Sequence, residues 1–171
     1  MSSYKVRTAV QDDLSDISRI ERQAAQAFRN IGYPQLADGA ATPMDWFEEG
    51  LDKGFLWVCV DKSNIPLGFA LANLMDGLFY LEDISVDPKY QRLGIGDTML
   101  RQVIDHAKFL YCSSVVLSTL ISAPWTEPFY RKHGFLEADM ERLPAPVLEK
   151  FTAETEFGLP ANDQMVMVKT L

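Results

Sequence analysis

The sequence predicts a single domain of the α+β class, in which helices flank a mixed, mostly antiparallel sheet. Its length of 171 residues suits one domain, since domains commonly hold roughly 100–200 residues, and we expect that domain to span residues 1–171. Strand-like runs in the first half are joined by short turns, which is typical of antiparallel pairing. A long amphipathic helix then separates two further strand-like runs, which predicts a crossover between parallel neighbours.

Hydrophobic periodicity and turn residues place the elements of the first half. Asp12 or Asp13 can cap a helix whose apolar residues recur every three or four positions. Asp76-Gly77 is a typical hairpin turn between two of the strand-like runs. In order, we expect a strand at Tyr4–Thr8, a helix ending near Gly32, a loop at 33–41, a helix from Thr42-Pro43 to Gly54, and strands at 55–61, 67–75 and Leu78–Val86.

The second half opens with a helix that has the 3.6-residue period and starts near Gly94. Its apolar face is expected to contain Leu100, Val103, Ile104, Ala107, Leu110 and Tyr111. The remaining expected elements are a buried strand at 114–119, a short helix at about 125–132 ended by Gly134, a weaker helix at 147–157, and a last strand at 165–171.

Composition and charge exclude several classes of protein. The longest apolar run, residues 55–60, is far shorter than the roughly 20 residues that cross a bilayer, and the first residues lack the apolar stretch of a signal peptide. We therefore expect a cytoplasmic protein without a membrane partner. The formal net charge is −8, which disfavours nucleic acids. Only residues 89–136 are basic overall, and this stretch suits a small anion such as a phosphate.

The cysteines and histidines do not have the spacing of a metal site. Cys59 and Cys112 have no paired Cys or His nearby, so no metal is expected. We interpret both thiols as buried or incidental, and His106 and His133 as solvated.

A glycine-containing segment at 86–96 joins the third of the early strands to the long helix. Gly94 and Gly96 stand where the first helical N–H groups lack partners, so a phosphate can approach the backbone there. A dinucleotide fingerprint would need a third glycine in place of Met99, and a P-loop would need Gly-Lys at 99–100. Both motifs are absent. The alternative is a glycine turn that only allows the helix to pack closely.

Three motifs in chain order strengthen the phosphate interpretation. They are Leu-x-x-Ile-x-Val at Leu81, Ile84 and Val86, Gln/Arg-x-x-Gly-x-Gly/Ala at Gln91, Gly94 and Gly96, and Tyr-x-x-x-Gly-Phe at Tyr130, Gly134 and Phe135. With them the sequence resembles the GNAT superfamily of acetyl-CoA-dependent N-acetyltransferases over residues 78–135. Many members carry an Asn seven residues before the Tyr, where this chain has Ala123, so that cofactor contact is absent or supplied by another residue such as Thr126.

The resemblance implies a sheet splayed between the strands at 78–86 and 114–119, with acetyl-CoA as the co-substrate in the gap. Backbone groups of Ile84, Ser85 and Val86 would bind the pantetheine arm. The cofactor-binding segment that follows would consist of Gln91, Arg92, Leu93, Gly94, Ile95, Gly96, Asp97 and Thr98, most of them through backbone amides at the pyrophosphate. A homodimer is also compatible with the resemblance.

Two catalytic residues are predicted for transfer to an amine. An alkylammonium group has a pKa near 10.4, so a base must take its proton. We predict Glu82 as that base, directly or through a water, with Asp83 as the alternative, and a β-bulge at this pair would bring Leu81 and Ile84 to one face. A strand-end acid pair without a catalytic role is the other interpretation. Tyr130, which matches the tyrosine of the family, is predicted to protonate the leaving thiolate.

The acceptor is expected to contact the first two helices, their loop and the late connection. Candidate residues are Tyr33, Trp46, Phe47, Trp125 and the acidic stretch 137–156, although the aromatic side chains could equally belong to the core. An acidic rim favours a cationic amine, such as a polyamine, another small amine or a basic peptide terminus. The rival function is a non-catalytic acyl-CoA-binding module, which would need neither Tyr130 nor the acid pair.

Overall fold

The computed structural model describes residues 3–39, 41–156 and 158–171. The strands are β1 (Tyr4–Thr8), β2 (Leu56–Asp61), β3 (Pro66–Met75), β4 (Leu78–Val86), β5 (Ser114–Leu120), β6 (Leu136–Glu137) and β7 (Gln164–Thr170). The helices are α1 (Leu14–Ala25), α2 (Pro34–Asp38), α3 (Met44–Lys53), α4 (Ile95–Phe109), α5 (Thr126–Lys132) and α6 (Ala145–Glu156).

The chain forms two compact units, and β4 contributes residues to both. The first unit contains the residues up to Asn73 together with Leu81–His106, and the second contains Leu74–Tyr80 with Ala107–Leu171. In the first unit the strand order is β1-β2-β3-β4, and β1 with β2 and β2 with β3 are antiparallel pairs. For the antiparallel meander expected over β2, β3 and β4, the strand order and the antiparallel pairing of β2 with β3 are confirmed.

The core of the first unit lies between its helices and its strands. Residues of α1 spaced by three, Leu14, Ile17 and Ile20, are buried, as a period of 3.6 requires. They pack with Phe47 of α3 and with apolar residues of β2 and β3, and Phe47 meets Phe69 edge-on with ring centroids 5.6 Å apart. This packing fixes α1 in the same unit as the carboxyl end of β4.

In the second unit, the start of β4 pairs with the strand that follows the long helix. Leu78–Tyr80 are parallel to residues 114–116, and in the described residues this register covers three pairs, although β4 continues to Val86. β5 is antiparallel to β7, which is antiparallel to β6. The predicted mixed, mostly antiparallel sheet with a parallel crossover is therefore confirmed.

Several element boundaries differ from the expectations. The loop predicted at 33–41 contains α2, and the short strand β6 was not predicted. The long helix ends at Phe109, so Tyr111 does not lie on its apolar face: it has a φ of +56° and is 95% exposed. The helix predicted at 147–157 begins at Ala145 and is described to Glu156, and residue 157 lies outside the described residues.

Gly68 of β3 allows β4 and α4 to approach closely. A methyl group at this position would lie 2.9 Å from the Ser85 carbonyl oxygen and 2.9 Å from Cε of Met99. Gly68→Ala should therefore lower the free energy of unfolding by about 1–3 kcal/mol, measured by urea denaturation. Gly54→Ala is the control, since Gly54 has a φ of +73° and no atom within 4 Å of the added carbon, and it should cost only the backbone strain. Wild-type stability in Gly68→Ala would show that this approach is not tight.

Candidate functional site

The loop between β4 and α4 exposes the start of a long helix. A 3-10 turn at Pro88–Tyr90 follows β4, and Arg92 and Gly94 have φ values of +63° and +80°. Both the N–H and the hydroxyl of Thr98 donate to the Gly94 carbonyl, at 3.1 and 2.9 Å. The amides that precede this first helical bond have no partner within the helix, so they can bind an anion.

Thr98 thus differs from the other residues predicted at the pyrophosphate. Its N–H and its hydroxyl are both used on the Gly94 carbonyl, so it stabilises the first turn of α4. The residues whose N–H groups lie at the open start of the helix are Ile95, Gly96 and Asp97.

Two contacts that were not predicted hold the loop in place. The Tyr4 hydroxyl of β1 donates to the Leu93 carbonyl, and a side chain at Gly94 would lie 3.2 Å from that hydroxyl oxygen. Gln91 donates through Nε2 to the Val86 carbonyl at 3.4 Å. Gly94 is therefore required both by its positive φ and by the space that Tyr4 occupies.

An ion pair connects α1 to the end of β4. Arg19 Nη1 lies 2.8 Å from Oδ2 of the buried Asp87, whose Oδ1 accepts from the Lys89 N–H at 3.0 Å. Burial alone would raise the pKa of Asp87, but the hydrogen bonds from Arg19 and Lys89 hold it below its usual value. Asp87 is therefore an ionised residue that fixes the entry into the phosphate-binding loop.

Asp83 of β4 has the chemistry of a proton acceptor at neutral pH. Burial, with the negative charges of Glu21 and Glu82, raises its pKa to about 7, although hydrogen bonds from Ser85 and from the Ile84 N–H act in the opposite direction. Ser85 Oγ donates to Asp83 Oδ1 at 2.9 Å, so these two side chains share a face of β4. A carboxyl with this pKa can gain or lose a proton near pH 7.

Glu82, the base predicted from the sequence, lies beside Asp83 on β4 and is partly buried. Of the influences on the pKa of Asp83, the charge of Glu82 is the smallest, and that of Glu21 is larger. The β-bulge expected at this pair stays a prediction, as does the base assignment.

Glu21 is the main residue of this region that the sequence interpretation missed. It stands on α1 four residues after the buried Ile17, so an acid occupies a position on the apolar stripe of the helix. An acidic residue among the apolar positions of a helix is visible in the sequence and could have indicated a functional role for Glu21. The helix expected to start at Thr42-Pro43 has Pro43 at its N-cap and no side-chain cap, and the Thr42 hydroxyl donates instead to Glu21.

Tyr130 lies on α5 in the second unit, within a group of aromatic rings. Its ring is 5.1 Å from that of Phe129 and 5.7 Å from that of Phe135. Its carbonyl accepts from the N–H groups of His133 and Phe135, at 3.0 and 3.2 Å, where α5 ends before Gly134. The Tyr-x-x-x-Gly-Phe motif therefore forms one local structure that fixes the Tyr130 ring, with Phe135 buried beneath it.

The position expected to carry an asparagine is closed by local packing. Ala123 is buried, and the Thr126 hydroxyl lies within hydrogen-bond distance of the Leu120 and Ala123 carbonyls, at 3.1 and 3.0 Å. Thr126 thus stabilises the start of α5, and its suggested role as a substitute cofactor ligand stays a prediction.

The remaining candidates divide between core and surface. Both cysteines are buried, as expected, and burial raises the pKa of Cys59 to about 11. His106 was expected to be solvated, but it packs edge-on against Phe55 and Trp57, and burial lowers its pKa. Among the aromatic acceptor candidates, Phe47 is core, whereas Trp46 and Trp125 are 41% and 45% exposed.

In residues 3–39, 41–156 and 158–171, no helix is both long and apolar enough to cross a membrane. The same ranges contain no group of three or more His, Cys, Asp or Glu side chains that could hold a metal ion.

Comparison with known proteins gives matches over most of the chain. Residues 16–135 match the model of the acetyltransferase (GNAT) family. GCN5-related N-acetyltransferase 1, chloroplastic, of Arabidopsis thaliana is 34% identical over 83 residues, which cover 47% of this chain and 40% of that protein. Thialysine N-epsilon-acetyltransferase of Mus musculus is 27% identical over 153 residues, covering 81% of this chain and 85% of that protein.

A solved structure supports the same fold at low sequence identity. PaiA N-acetyltransferase from Thermoplasma acidophilum, in complex with coenzyme A, aligns over 99% of this chain and 100% of its own, with a TM-score of 0.72 and 15% sequence identity. The family match covers more than half of the sequence and includes β4, the glycine loop, α4 and Tyr130. The chain therefore belongs to the acetyltransferase (GNAT) family.

Proposed function

We propose that this protein transfers an acetyl group from acetyl-CoA to a primary amine, by direct attack of the amine on the thioester. The observation that carries the proposal is the position of Asp83, a carboxyl with a pKa of about 7, on the strand that leads into an open helix N-terminus. The open helix N-terminus at one end of this segment suits a pyrophosphate, and the Asp83 carboxyl at the other end can accept a proton.

Acetyl-CoA, as the co-substrate, would supply a thioester that is activated for acyl transfer. We propose that the backbone of Ile84, Ser85 and Val86 binds the pantetheine arm and that the amides from Arg92 to Asp97 hold the pyrophosphate. Support comes from the positive φ values at Arg92 and Gly94, which shape the loop, and from the coenzyme A in the PaiA structure.

Asp83 is the proton acceptor in this proposal. A base is most effective when its pKa lies near the working pH, and an alkylammonium with a pKa near 10.4 must lose a proton before it attacks. The pKa of about 7 favours Asp83 over Glu82, which the sequence placed first. Glu82 remains the alternative base, and in either case its charge helps to keep the pKa of Asp83 raised.

Tyr130 is proposed as the acid that protonates the leaving thiolate. A phenol has a pKa of about 10 and a thiol about 8.5, so this proton transfer is uphill by roughly 2 kcal/mol and requires the phenol to lie within hydrogen-bond reach of the thiolate. The aromatic contacts of the Tyr130 ring support this role, because they restrict the orientation of its hydroxyl.

The acceptor is proposed to be a cationic amine. The formal net charge of −8 disfavours an anionic acceptor, and the exposed Trp46 and Trp125 can contact an organic cation in their respective units. The name of the mouse relative, a thialysine N-epsilon-acetyltransferase, refers to an amine acceptor of that protein. A homodimer and a cytoplasmic location remain proposals alongside this one.

A carboxylate in the first turn of α4 tests the cofactor site. Gly96→Glu should lower acetyl-CoA affinity at least about a hundredfold, because its charge would meet the pyrophosphate. Calorimetric titration with acetyl-CoA measures the effect. Gly158→Glu, which adds the same charge where the structure records no atom within 4 Å, is the control and should bind as the wild type does. Unchanged acetyl-CoA affinity in Gly96→Glu would show that the pyrophosphate does not bind at this helix start.

Thiol release tests the transferase activity itself. Wild-type protein with acetyl-CoA should release free thiol only when an amine is added, from a panel of polyamines, aminoglycosides, amino acids and peptides. Binding of acetyl-CoA without release for any acceptor would instead favour the acyl-CoA-binding module.

A further inference from the structure

Tyr4, the first residue of β1, contacts the loop between β4 and α4 from a distant part of the sequence. Its hydroxyl donates to the carbonyl oxygen of Leu93, which is 89 residues away in the chain. β1 stands first in the strand order, so it is an edge strand, and Tyr4 lies opposite Asp61 of β2. All three residues belong to the first unit. The contact therefore connects the edge of the sheet to the loop within one compact body.

The hydrogen bond from Tyr4 sets the orientation of the peptide between Leu93 and Gly94. The described residues contain no cis peptide bond, and in a planar trans peptide the carbonyl and the N–H point in opposite directions. Because the Leu93 carbonyl points to the Tyr4 hydroxyl, the Gly94 N–H points away from it. Among the described residues this N–H has no hydrogen-bond acceptor, so it can donate to a bound anion.

The backbone around this peptide has the conformation of an anion-binding turn. Arg92 and Gly94 have φ values of +63° and +80°, whereas Leu93 between them does not have a positive φ. Turns of this kind can direct successive N–H groups into one concavity that binds an anion. A β-carbon at Gly94 would lie 3.2 Å from the Tyr4 hydroxyl oxygen, so Tyr4 and the turn fit closely. Tyr4 thus holds the central peptide of the turn.

We propose that Tyr4 is a positioning residue for the cofactor, which orients the Leu93–Gly94 peptide so that the Gly94 N–H faces the pyrophosphate of acetyl-CoA. This inference rests on the proposed cofactor site and adds to it a residue outside the loop. Tyr4 acts through the loop, so its hydroxyl contributes to the affinity for ligands that carry the pyrophosphate. Coupling between two sites is mutual, so the bound pyrophosphate in turn strengthens the attachment of β1.

The test compares a ligand that carries the pyrophosphate with one that lacks it. Tyr4→Phe removes the hydroxyl and keeps the ring, so the Kd of acetyl-CoA, measured by calorimetry, should rise at least about fivefold. The Kd of S-acetylpantetheine, which has no phosphate, is measured by NMR titration and should be the same in both proteins. Tyr111→Phe, which removes a hydroxyl from a residue that is 95% exposed, is the control and should bind both ligands as the wild type does.

Hydrogen exchange of the wild type gives a second measurement, which does not depend on how well Tyr4→Phe folds. Saturating acetyl-CoA should slow the exchange of the β1 amides, because the bound pyrophosphate fixes the loop to which Tyr4 is attached. S-acetylpantetheine at saturation should slow them less. Exchange at the β6 amides, which lie in the second unit, is followed as the internal reference.

The outcomes distinguish this inference from the proposed function. An unchanged acetyl-CoA Kd in Tyr4→Phe, an equal rise in Kd for both ligands, or equal protection of β1 by both ligands overturns the inference. If Gly96→Glu loses acetyl-CoA affinity while Tyr4→Phe keeps it, the loop binds the pyrophosphate without help from Tyr4. If Gly96→Glu keeps its affinity, the cofactor site itself is wrong. None of these measurements needs an acceptor amine, so a failure of thiol release leaves them unaffected.

Discussion

Tyr130→Phe should lower kcat by about 10²–10⁴-fold and leave the affinity for acetyl-CoA unchanged. The substitution removes one oxygen atom and keeps the ring, so its contacts with Phe129 and Phe135 are retained. The proton that the phenol gives to the leaving thiolate is lost with that oxygen. Steady-state thiol release gives kcat, and calorimetric titration gives the affinity.

Tyr111→Phe is the matched control for this change. Tyr111 is 95% exposed and follows the end of α4, so removal of its hydroxyl should alter neither quantity. If Tyr130→Phe keeps wild-type turnover, Tyr130 has no part in proton transfer and only its packing role remains.

Asp83→Asn should lower kcat/KM by about 10²–10⁴-fold and remove the dependence of the rate on a group that titrates near pH 7. In the wild type the rate should rise with pH through this region, because the carboxyl accepts a proton only when it is ionised. An asparagine has nearly the same shape and cannot accept the proton. The pH–rate profile of both proteins with one accepted amine measures the difference.

Substitutions of two neighbours of Asp83 should shift the rising limb of the pH–rate profile in opposite directions. Ser85→Ala removes a hydrogen bond that favours the ionised carboxyl, so the limb should shift to higher pH. Glu82→Gln removes a negative charge, so the limb should shift to lower pH with activity retained. If Glu82→Gln abolishes the limb and Asp83→Asn preserves it, Glu82 is the base.

Asp83→Asn should also stabilise the protein at alkaline pH. The pKa of Asp83 is about 7 in the folded state and near 3.9 when unfolded, so the folded state binds more protons between these values and wild-type stability falls as the pH rises through them. Asp83→Asn removes this penalty. At pH 8 its free energy of unfolding should exceed that of the wild type by on the order of 2 kcal/mol, with no such gain below pH 4. A loss of stability at pH 8 would mean that Asp83 is not held with a raised pKa.

Sequence patterns predicted the features that depend on neighbouring residues. The 3.6-residue period of α4 and the end of α5 before Gly134 follow from local sterics, and the hairpin at Asp76-Gly77 has the positive φ values that its turn type needs. The three motifs were sufficient to indicate the family because each combines particular residue types at a fixed spacing and they occur in the expected chain order.

Features that depend on contacts between distant segments were not predicted. Thr42 has a hydroxyl that can cap a helix or bind a distant acceptor, and only the fold shows that Glu21 receives it. The choice between Glu82 and Asp83 likewise depends on burial and on the charge of α1, neither of which is visible in the spacing of β4. His106 shows the same limit, because Phe55 and Trp57 cover it from another part of the chain.

Transfer of a labelled acetyl group is the most direct measurement of the central claim. Wild-type protein is mixed with acetyl-CoA that carries a radiolabelled acetyl group and with an amine that supports thiol release, and the label is followed by chromatography and mass spectrometry. The account predicts that the label moves from acetyl-CoA to the nitrogen of the amine, with no stable label on the protein. Label that stays on acetyl-CoA, or that accumulates as an acetylated protein intermediate, would contradict direct transfer to an amine.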